Sequence, residues 1–427
     1  MKILIIHYKY SITGGPERYM FNITNLLEKD GHEVIHFSIN WNDNIETKQK
    51  SFWPKIKHTQ GEFHLNRIQN LSFFKKISIL INSIYNRKIY KALDNFIKKE
   101  KPDIAYLLLF LGKLSPSVVK ACNNNKLPVV SRISDFSMIC LNSILHDGTR
   151  ICEDCINGRF SNGVKKKCFK TYGNSFAQLL VKKYFYFRNF HKKISFYVVP
   201  SLNSMKVFLR SKYFYKDKMD LLPTFIDSKE YILTGRDIKM RFNKQQFVYW
   251  GRISPEKDIE LLIKTFHKLQ IDVPSVKLVL IGFREDEYSL KILNLINDLG
   301  SSSNIETFPF LNKEELEEIV KFSTAYVFPS KIYDNLPQSV LEALSFGLPV
   351  IATNIGSLKE IIRDGFTGYL FDSKSKDDLF NKMNFILNDI SSYTFLSNNA
   401  LETVKENYNK TDHLKKLLNI FEKIKNE

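Results

Sequence analysis

A chain of 427 residues is too long for one compact core and suits two domains of about two hundred residues each. With 44% apolar and 25% charged residues, the composition is that of a soluble globular protein. The formal net charge of +18 is carried unevenly: residues 1–225 hold 37 Lys and Arg against 16 Asp and Glu, whereas 226–427 hold 26 against 29. An anionic partner is therefore expected for the first half, whether membrane, nucleic acid or acidic small molecule. MKILIIHYKY reads as a first strand and not a secretory signal, and no run reaches the roughly 18 apolar residues of a spanning helix. A cytoplasmic chain, with or without peripheral contact at the inner face of the membrane, is the expectation. Five cysteines, an odd number, argue against a disulfide framework.

In chain order, KILIIHY at 2–8 suits a buried parallel strand. The loop KYSITGGPER follows, then a helix with Tyr19, Ile23 and Leu26 on one face, then the strand HEVIHFSI. This βαβ unit places Gly14 and Gly15 at a helix entrance, where N–H groups and the helix dipole favour an anion, and Pro16 fits the first turn. Without a G-x-G-x-x-G pattern it is no dinucleotide fingerprint. Residues 51–100 are basic and aromatic, with Phe73, Phe74, Lys75, Lys76, Ile77, Ile79, Leu80, Ile84 and Tyr85 in amphipathic order. That segment and KKYFYFRNFHKK at 182–193 read equally as core-facing helices with a solvated lysine face or as membrane-surface faces.

DIAYLLLF (103–110), LPVVSRIS (127–134) and FYVVPS (196–201) are strand-like. Between the last two lie Cys140, Cys152, Cys155 and Cys168 with spacing C-x11-C-x2-C-x12-C. A Cys-x2-Cys pair reaches one tetrahedral ion from a tight turn, and two further thiolates close a structural zinc site; a redox or disulfide arrangement is the alternative. Cys122 stands apart and is expected to be buried. A domain boundary falls near 226–244, because 228–245 is polar and irregular.

The second half alternates strand and helix: QFVYWG, DIELLIKTFHKL, VKLVLIG, YSLKILNLINDL, NIETF, KEELEEIVKF, AYVFPS, then a helix bounded by Pro337 and Gly347, PVIAT and SLKEII. Near-continuous apolar strands separated by helices predict a doubly wound α/β sheet, with ligands beyond the strands' carboxyl ends. Arg252 and Lys257 occupy one such end, a fork and a point charge suited to a diphosphate. Asp334 and Glu342 lie eight residues apart around another. Taken singly, these four residues read as ordinary surface charges; the strand ends give them a common place.

Together, GGPER after the first strand, GRISPEKD opening the second domain, DNLPQSVLEALSFGLPVIAT and GSLKEIIRDGFTG resemble the GT4 family of retaining glycosyltransferases over nearly the whole chain. The resemblance implies a GT-B fold of two Rossmann-like domains facing across a cleft, 1–225 on the acceptor side and 226–405 holding a nucleotide-diphosphate sugar. It implies a helix at 406–427 packing back toward the first domain, and a Cys-rich insertion at about 140–170. Residue by residue, it gives Arg252 and Lys257 the departing diphosphate, Glu342 the ribose, and Asp334, with neighbouring Asn335, the donor sugar. Gly14 and Gly15 allow close backbone approach to phosphate or sugar, and Gly356, Ser357 and Leu358 line the sugar-phosphate pocket through backbone amides. The first acid is Asp where the family carries Glu, Asp258 stands where Gly is usual, and Ser134 occupies the place of a His. With no D-x-D carboxylate pair in evidence, a catalytic metal is not expected, while structural zinc is. The acceptor class implied is a glycan or lipid-linked sugar, in surface polysaccharide or glycolipid assembly. Rival readings are a nucleotide-sugar epimerase on the same fold and a basic zinc-containing nucleic-acid-binding protein. No nucleic-acid partner is expected, since no recognition module is found and the clamp motifs sit in the neutral half.

Overall fold

Twelve strands form two six-stranded, all-parallel sheets among the described residues, which in this computed structural model are 1–56, 72–226, 233–375 and 377–427. The chain divides into two compact units, Met1–Pro223 with Thr411–Glu427, and Thr224–Lys410.

The first unit contains β1 (Lys2–Ile6), β2 (Glu33–Phe37), β3 (Ile104–Leu107), β4 (Val129–Arg132), β5 (Phe196–Val199) and β6 (Met219–Leu221), in spatial order β2-β1-β3-β4-β5-β6. Its strands are almost continuously apolar because helices cover both faces, as parallel sheets require. The helix Gly15–Lys29 starts with Pro16, carries Glu17 in its first turn and Lys29 in its last, and buries Tyr19, Met20, Ile23 and Leu27. Tyr19 packs edge-on to Tyr106 and to His413 of the helix Lys410–Asn426. Phe421 of that last helix meets Tyr106 at 5.3 Å between ring centroids, so the chain's final turns complete this unit's core.

The two basic aromatic segments have different fates. In the helix Tyr172–Phe187 and the turn after it, Lys182, Phe185, Tyr186, Phe190 and His191 are buried, leaving Phe187 80% exposed. The helix Phe73–Ile84, which packs against it, keeps Phe74 83% exposed, with Ile77 and Ile81 exposed beside it. Residues 57–71 of the earlier basic stretch lie outside the described residues.

The second unit contains β7 (Gln246–Trp250), β8 (Lys277–Phe283), β9 (Ile305–Pro309), β10 (Ala325–Phe328), β11 (Val350–Thr353) and β12 (Gly368–Phe371), ordered β12-β11-β10-β7-β8-β9. This is the doubly wound order in which the chain reverses direction between its first and fourth strands, β7 and β10. The expected irregular connection at 228–245 is corrected in its second part: Gly235–Lys244 is a helix. Thr234 and Asp237 cap each other reciprocally at its start. Its fully buried Arg241 donates to the carbonyls of Lys321 and Phe346, at 2.9 and 2.7 Å. Residues 228–232 of that stretch lie outside the described residues. Among the described residues, no helix is long and apolar enough to cross a membrane.

Candidate functional site

In doubly wound sheets, ligands sit beyond the carboxyl ends of the strands where the order reverses. In the second unit those are the ends of β7 and β10, and the two loops leaving them carry Arg252, Lys257 and Asp334. β7 runs out through Gly251, whose φ of 150° opens the turn. The next strand, β8, must also carry glycine at its last position but one: a Cβ on Gly282 would lie 1.8 Å from the carbonyl oxygen of Gly251, and its φ is +123°. The chain then makes one turn, Pro255–Lys257, before the helix Ile259–Asp272.

The two loops are laced together. Lys257 Nζ donates to Asp334 Oδ1 at 2.6 Å, their side chains 11% and 17% exposed, and Lys257 Nζ also lies 4.7 Å from the centre of the Phe328 ring. The second carboxylate oxygen of Asp334 accepts from Ser330 Oγ at 2.7 Å. Its backbone carbonyl accepts from Ser357 Oγ at 2.6 Å. The backbone N–H of Lys331 donates to the Glu256 carbonyl at 2.9 Å. Lys331 Nζ reaches Asp258 Oδ1 at 2.7 Å. Asp258, where glycine is usual in the resemblance, has φ 50° and ψ 42°. That left-handed conformation explains the preference for glycine, and Asp is among the few other residues that adopt it readily.

Arg252 is exposed and pairs with Glu256 at 3.0 Å. Its backbone carbonyl accepts from Tyr249 Oη at 3.0 Å, and burial holds the Tyr249 phenol far above the usual tyrosine range, so it stays a neutral donor. Glu342, on the helix Gln338–Ser345, accepts from the indole N–H of Trp250 at 3.1 Å. Trp250 packs 4.1 Å from the Tyr326 ring, whose hydroxyl donates to the Trp250 carbonyl at 2.9 Å. The carboxylate is thereby oriented from the end of β7. Gly356, with φ 54°, turns the chain after β11 into Ser357 and Leu358, and the Leu358 N–H already donates to the Ile355 carbonyl at 3.2 Å. Asn335 follows Asp334 in the same half-buried loop.

Thus Lys257, Asp334 and Ser357 are in direct contact, with Arg252, Asn335, Gly356 and Leu358 on the same loops and Glu342 tied to β7 through Trp250. Sequence reading alone did not single out Trp250, Ser330, Lys331 or Phe328. Nor did it find Arg284, whose guanidinium lies 5.0 Å over the Phe310 ring beyond β8 and β9. Except for Ser330, which is four residues from Asp334 in the same loop, these partners lie far apart in sequence and are joined only by sheet order.

Gly14 and Gly15 belong to the first unit, at the entrance of the helix Gly15–Lys29. Gly14 is extended, at φ −171°, so its backbone makes no demand for glycine; a Cβ there would press on Glu17 Oε2 at 3.2 Å. Glu17 Oε1 lies 3.7 Å from the ring Nε2 of the fully buried His7, whose pKa burial lowers to about 4.

The four clustered cysteines all line one small cavity of the first unit. Burial and the neighbouring thiols push Cys155 up to about 12 and Cys168 to about 11. Cys122 lies elsewhere, buried in the helix Ser117–Asn124, and burial pushes its thiol up to about 12.

Residues 236–403 match the family model described as "Glycosyl transferases group 1". An uncharacterized glycosyltransferase of Methanocaldococcus jannaschii is 27% identical over 193 residues, covering 45% of this chain and 48% of that protein. A lipopolysaccharide 1,2-N-acetylglucosaminetransferase of Salmonella typhimurium is 28% identical over 150 residues, covering 33% and 39%. The chain thus spans about half the length, or less, of these two curated relatives. Among solved structures, sucrose-phosphate synthase of Thermosynechococcus elongatus superposes with a TM-score of 0.70 at 16% identity, covering 99% of this chain and 98% of the other. HepE of Anabaena, in complex with UDP and glucose, gives 0.63 at 16% identity, covering 99% of each. Two Rossmann-like domains in one chain, with these structural likenesses, define the GT-B fold. The family-model match over 236–403 lies within the second unit.

Proposed function

We propose that this chain is a retaining glycosyltransferase of the GT4 type. It would move a sugar from a nucleotide-diphosphate donor to a glycan or lipid-linked sugar acceptor, in surface polysaccharide or glycolipid assembly. The observation that carries the reading is the buried Lys257–Asp334 pair at the switch point between β7 and β10. In this reading Lys257 and the exposed Arg252 receive the donor diphosphate, Glu342 accepts hydrogen bonds from the ribose, and Asp334 with Asn335 faces the sugar. Ser357 positions Asp334 through its backbone, while Gly356 and Ser357 bring backbone N–H groups to the sugar phosphate. UDP in the Anabaena structure supports a nucleotide donor. The Salmonella relative supports an acceptor of the glycolipid class.

The acceptor hydroxyl attacks the anomeric carbon on the face from which the diphosphate departs. The bond from that carbon to the diphosphate oxygen breaks, the new glycosidic bond forms, and the acceptor proton passes to the leaving oxygen. Catalysis is then stabilisation of developing negative charge by preorganised cations, together with positioning of the two reactants. The Arg252 and Lys257 charges serve that purpose, so the reading requires no catalytic metal. Charge and exposed apolar side chains in the first unit, Phe74, Ile77, Ile81 and Phe187 among them, support peripheral contact with an anionic membrane on its cytoplasmic side.

A panel of UDP-, GDP- and ADP-sugars read by thermal shift would identify the donor, followed by transfer assays with lipid-linked acceptors. Arg252→Ala and Lys257→Ala should each lower turnover by about 10²-fold or more. Unchanged turnover in both variants refutes the assignment. Acceptor-free isomerisation of the donor sugar would point to an epimerase instead.

A further inference from the structure

We propose that Cys140, Cys152, Cys155 and Cys168 bind one zinc ion that clips the segment between β4 and the helix Tyr172–Phe187 into a fixed shape. This stands independently of the glycosyl-transfer reading. The segment has little regular structure to hold it: a single bridge between His146 and Ile151, and one short helix, Ser161–Lys165. Four separate backbone turns nevertheless deliver four sulfurs to one cavity. Cys140 N–H donates to Phe136 O and Cys152 N–H to Leu145 O, both at 2.8 Å; Cys168 N–H donates to Gly163 O at 3.0 Å, and Cys155 O accepts from Gly158 at 2.9 Å. The close approach that this needs is paid in glycine: a Cβ on Gly163 would lie 2.8 Å from Leu141 Cδ2, and one on Gly158, at φ +79°, would lie 2.5 Å from Tyr213 Oη.

The cavity is about 10 Å³, close to the smallest space that holds a single water-sized sphere. It suits one ion and no larger ligand. All five cysteines of the chain are free thiols in this structure, so the four have not been spent on disulfides. Among the described residues, no group of three or more His, Cys, Asp or Glu is arranged to hold a metal as it stands. Binding an ion therefore requires the four sulfurs to close further on one point than they stand here, each turning about its single χ1 bond.

Charge supplies the second observation. Four thiolates around Zn²⁺ leave a net charge of about −2, which a buried site must balance. Two lysines stand against the sulfurs, each also facing carboxylates that share its charge. Lys166 Nζ donates to Cys152 Sγ at 3.2 Å and is held there by Asp147 and Asp154, each at 2.9 Å. Lys182 is buried, donates to the Ser137 carbonyl, and lies within electrostatic range of Asp135 first and then of Cys140 and Cys155. Outer partners that donate to ligand sulfurs are a recurrent part of metal sites, whereas a redox pair needs an accessible thiolate.

The test uses full-length protein purified without chelator, with metal measured by inductively coupled plasma mass spectrometry. About one zinc per chain is expected, released by a mercurial thiol reagent and detected with a metallochromic dye. Cys122→Ser should keep the metal and Cys155→Ser should lose at least half of it. Should Cys155→Ser fail to fold, wild-type protein reconstituted with Co²⁺ gives an independent reading: tetrahedral d–d bands with thiolate-to-cobalt charge transfer support the site. Metal-free folded protein with all five thiols titratable, a disulfide among the four found by mass spectrometry, or octahedral cobalt spectra would each overturn it.

Discussion

The Lys257–Asp334 contact can be tested by a double-mutant cycle. At 2.6 Å the Coulomb attraction is on the order of 6 kcal/mol for an effective dielectric of about 20. Desolvating two side chains that keep 11% and 17% exposure offsets much of that. Removing one partner leaves the other charge half-buried, which costs about 3 kcal/mol; removing both should cost less than the sum, by about 1.5–3 kcal/mol. The variants are Lys257→Met, Asp334→Asn and the pair. Trp250 is the one tryptophan of the second unit, the others being Trp41 and Trp53. Denaturant titration followed by tryptophan fluorescence in a Trp41→Phe, Trp53→Phe background therefore reports this unit alone. The nucleotide-induced thermal shift should vanish in Lys257→Met and persist in part in Asp334→Asn. Single-variant losses that add within about 0.5 kcal/mol would refute the coupling, and with it the claim that Asp334 holds Lys257 in place.

Gly282→Ala should destabilise the second unit by about 3 kcal/mol or more, from positive φ and a backbone clash together. Gly300→Ala, at φ +65° with nothing within 4 Å of its Cβ, should cost only about 1–2 kcal/mol; equal losses in calorimetry would contradict the close approach assigned to Gly282. Trp250→Phe should weaken nucleotide binding about 10-fold or more in isothermal titration, the scale of one lost hydrogen bond to a charged group, and an unchanged affinity would remove Trp250 from the site. Acid should loosen the first unit. Burial lowers His7 and His36 to about 4 and His413 to about 3, so the folded chain keeps them neutral while the unfolded chain protonates near 6.5. Their stabilising contribution is complete above pH 6.5 and falls by about 1.4 kcal/mol per histidine per pH unit down to about pH 4. Urea titrations at pH 7 and 5.5 check this, and a flat profile would contradict it.

The strands of the second sheet were legible because parallel strands buried on both faces leave unbroken apolar runs. β12 was missed for the opposite reason: it is an edge strand whose Tyr369 and Leu370 are only partly buried. The helix Gly235–Lys244 was hidden because its inward anchor is Arg241, which satisfies two carbonyls where a hydrophobic residue is expected. At the candidate site, Arg252, Lys257, Asp334 and Glu342 stand out by type and place. Their partners do not, since Lys257 meets Asp334 across 77 positions and Trp250 meets Glu342 across 92. Those contacts depend on β10 lying beside β7, and chain order alone would set it beside β9.

Asp258 illustrates what such a departure from glycine does to a site. Its bond to Lys331 means that the two loops carry three ion pairs, Arg252–Glu256, Lys257–Asp334 and Lys331–Asp258, and these six side chains sum to zero charge. A diphosphate taking up Arg252 and Lys257 would thus enter by partner exchange, freeing the Glu256 and Asp334 carboxylates while the Lys331–Asp258 tie keeps the loops in register. Because opposite charges are swapped at short range, affinity at this site should depend only weakly on ionic strength, unlike any attraction exerted by the basic first unit.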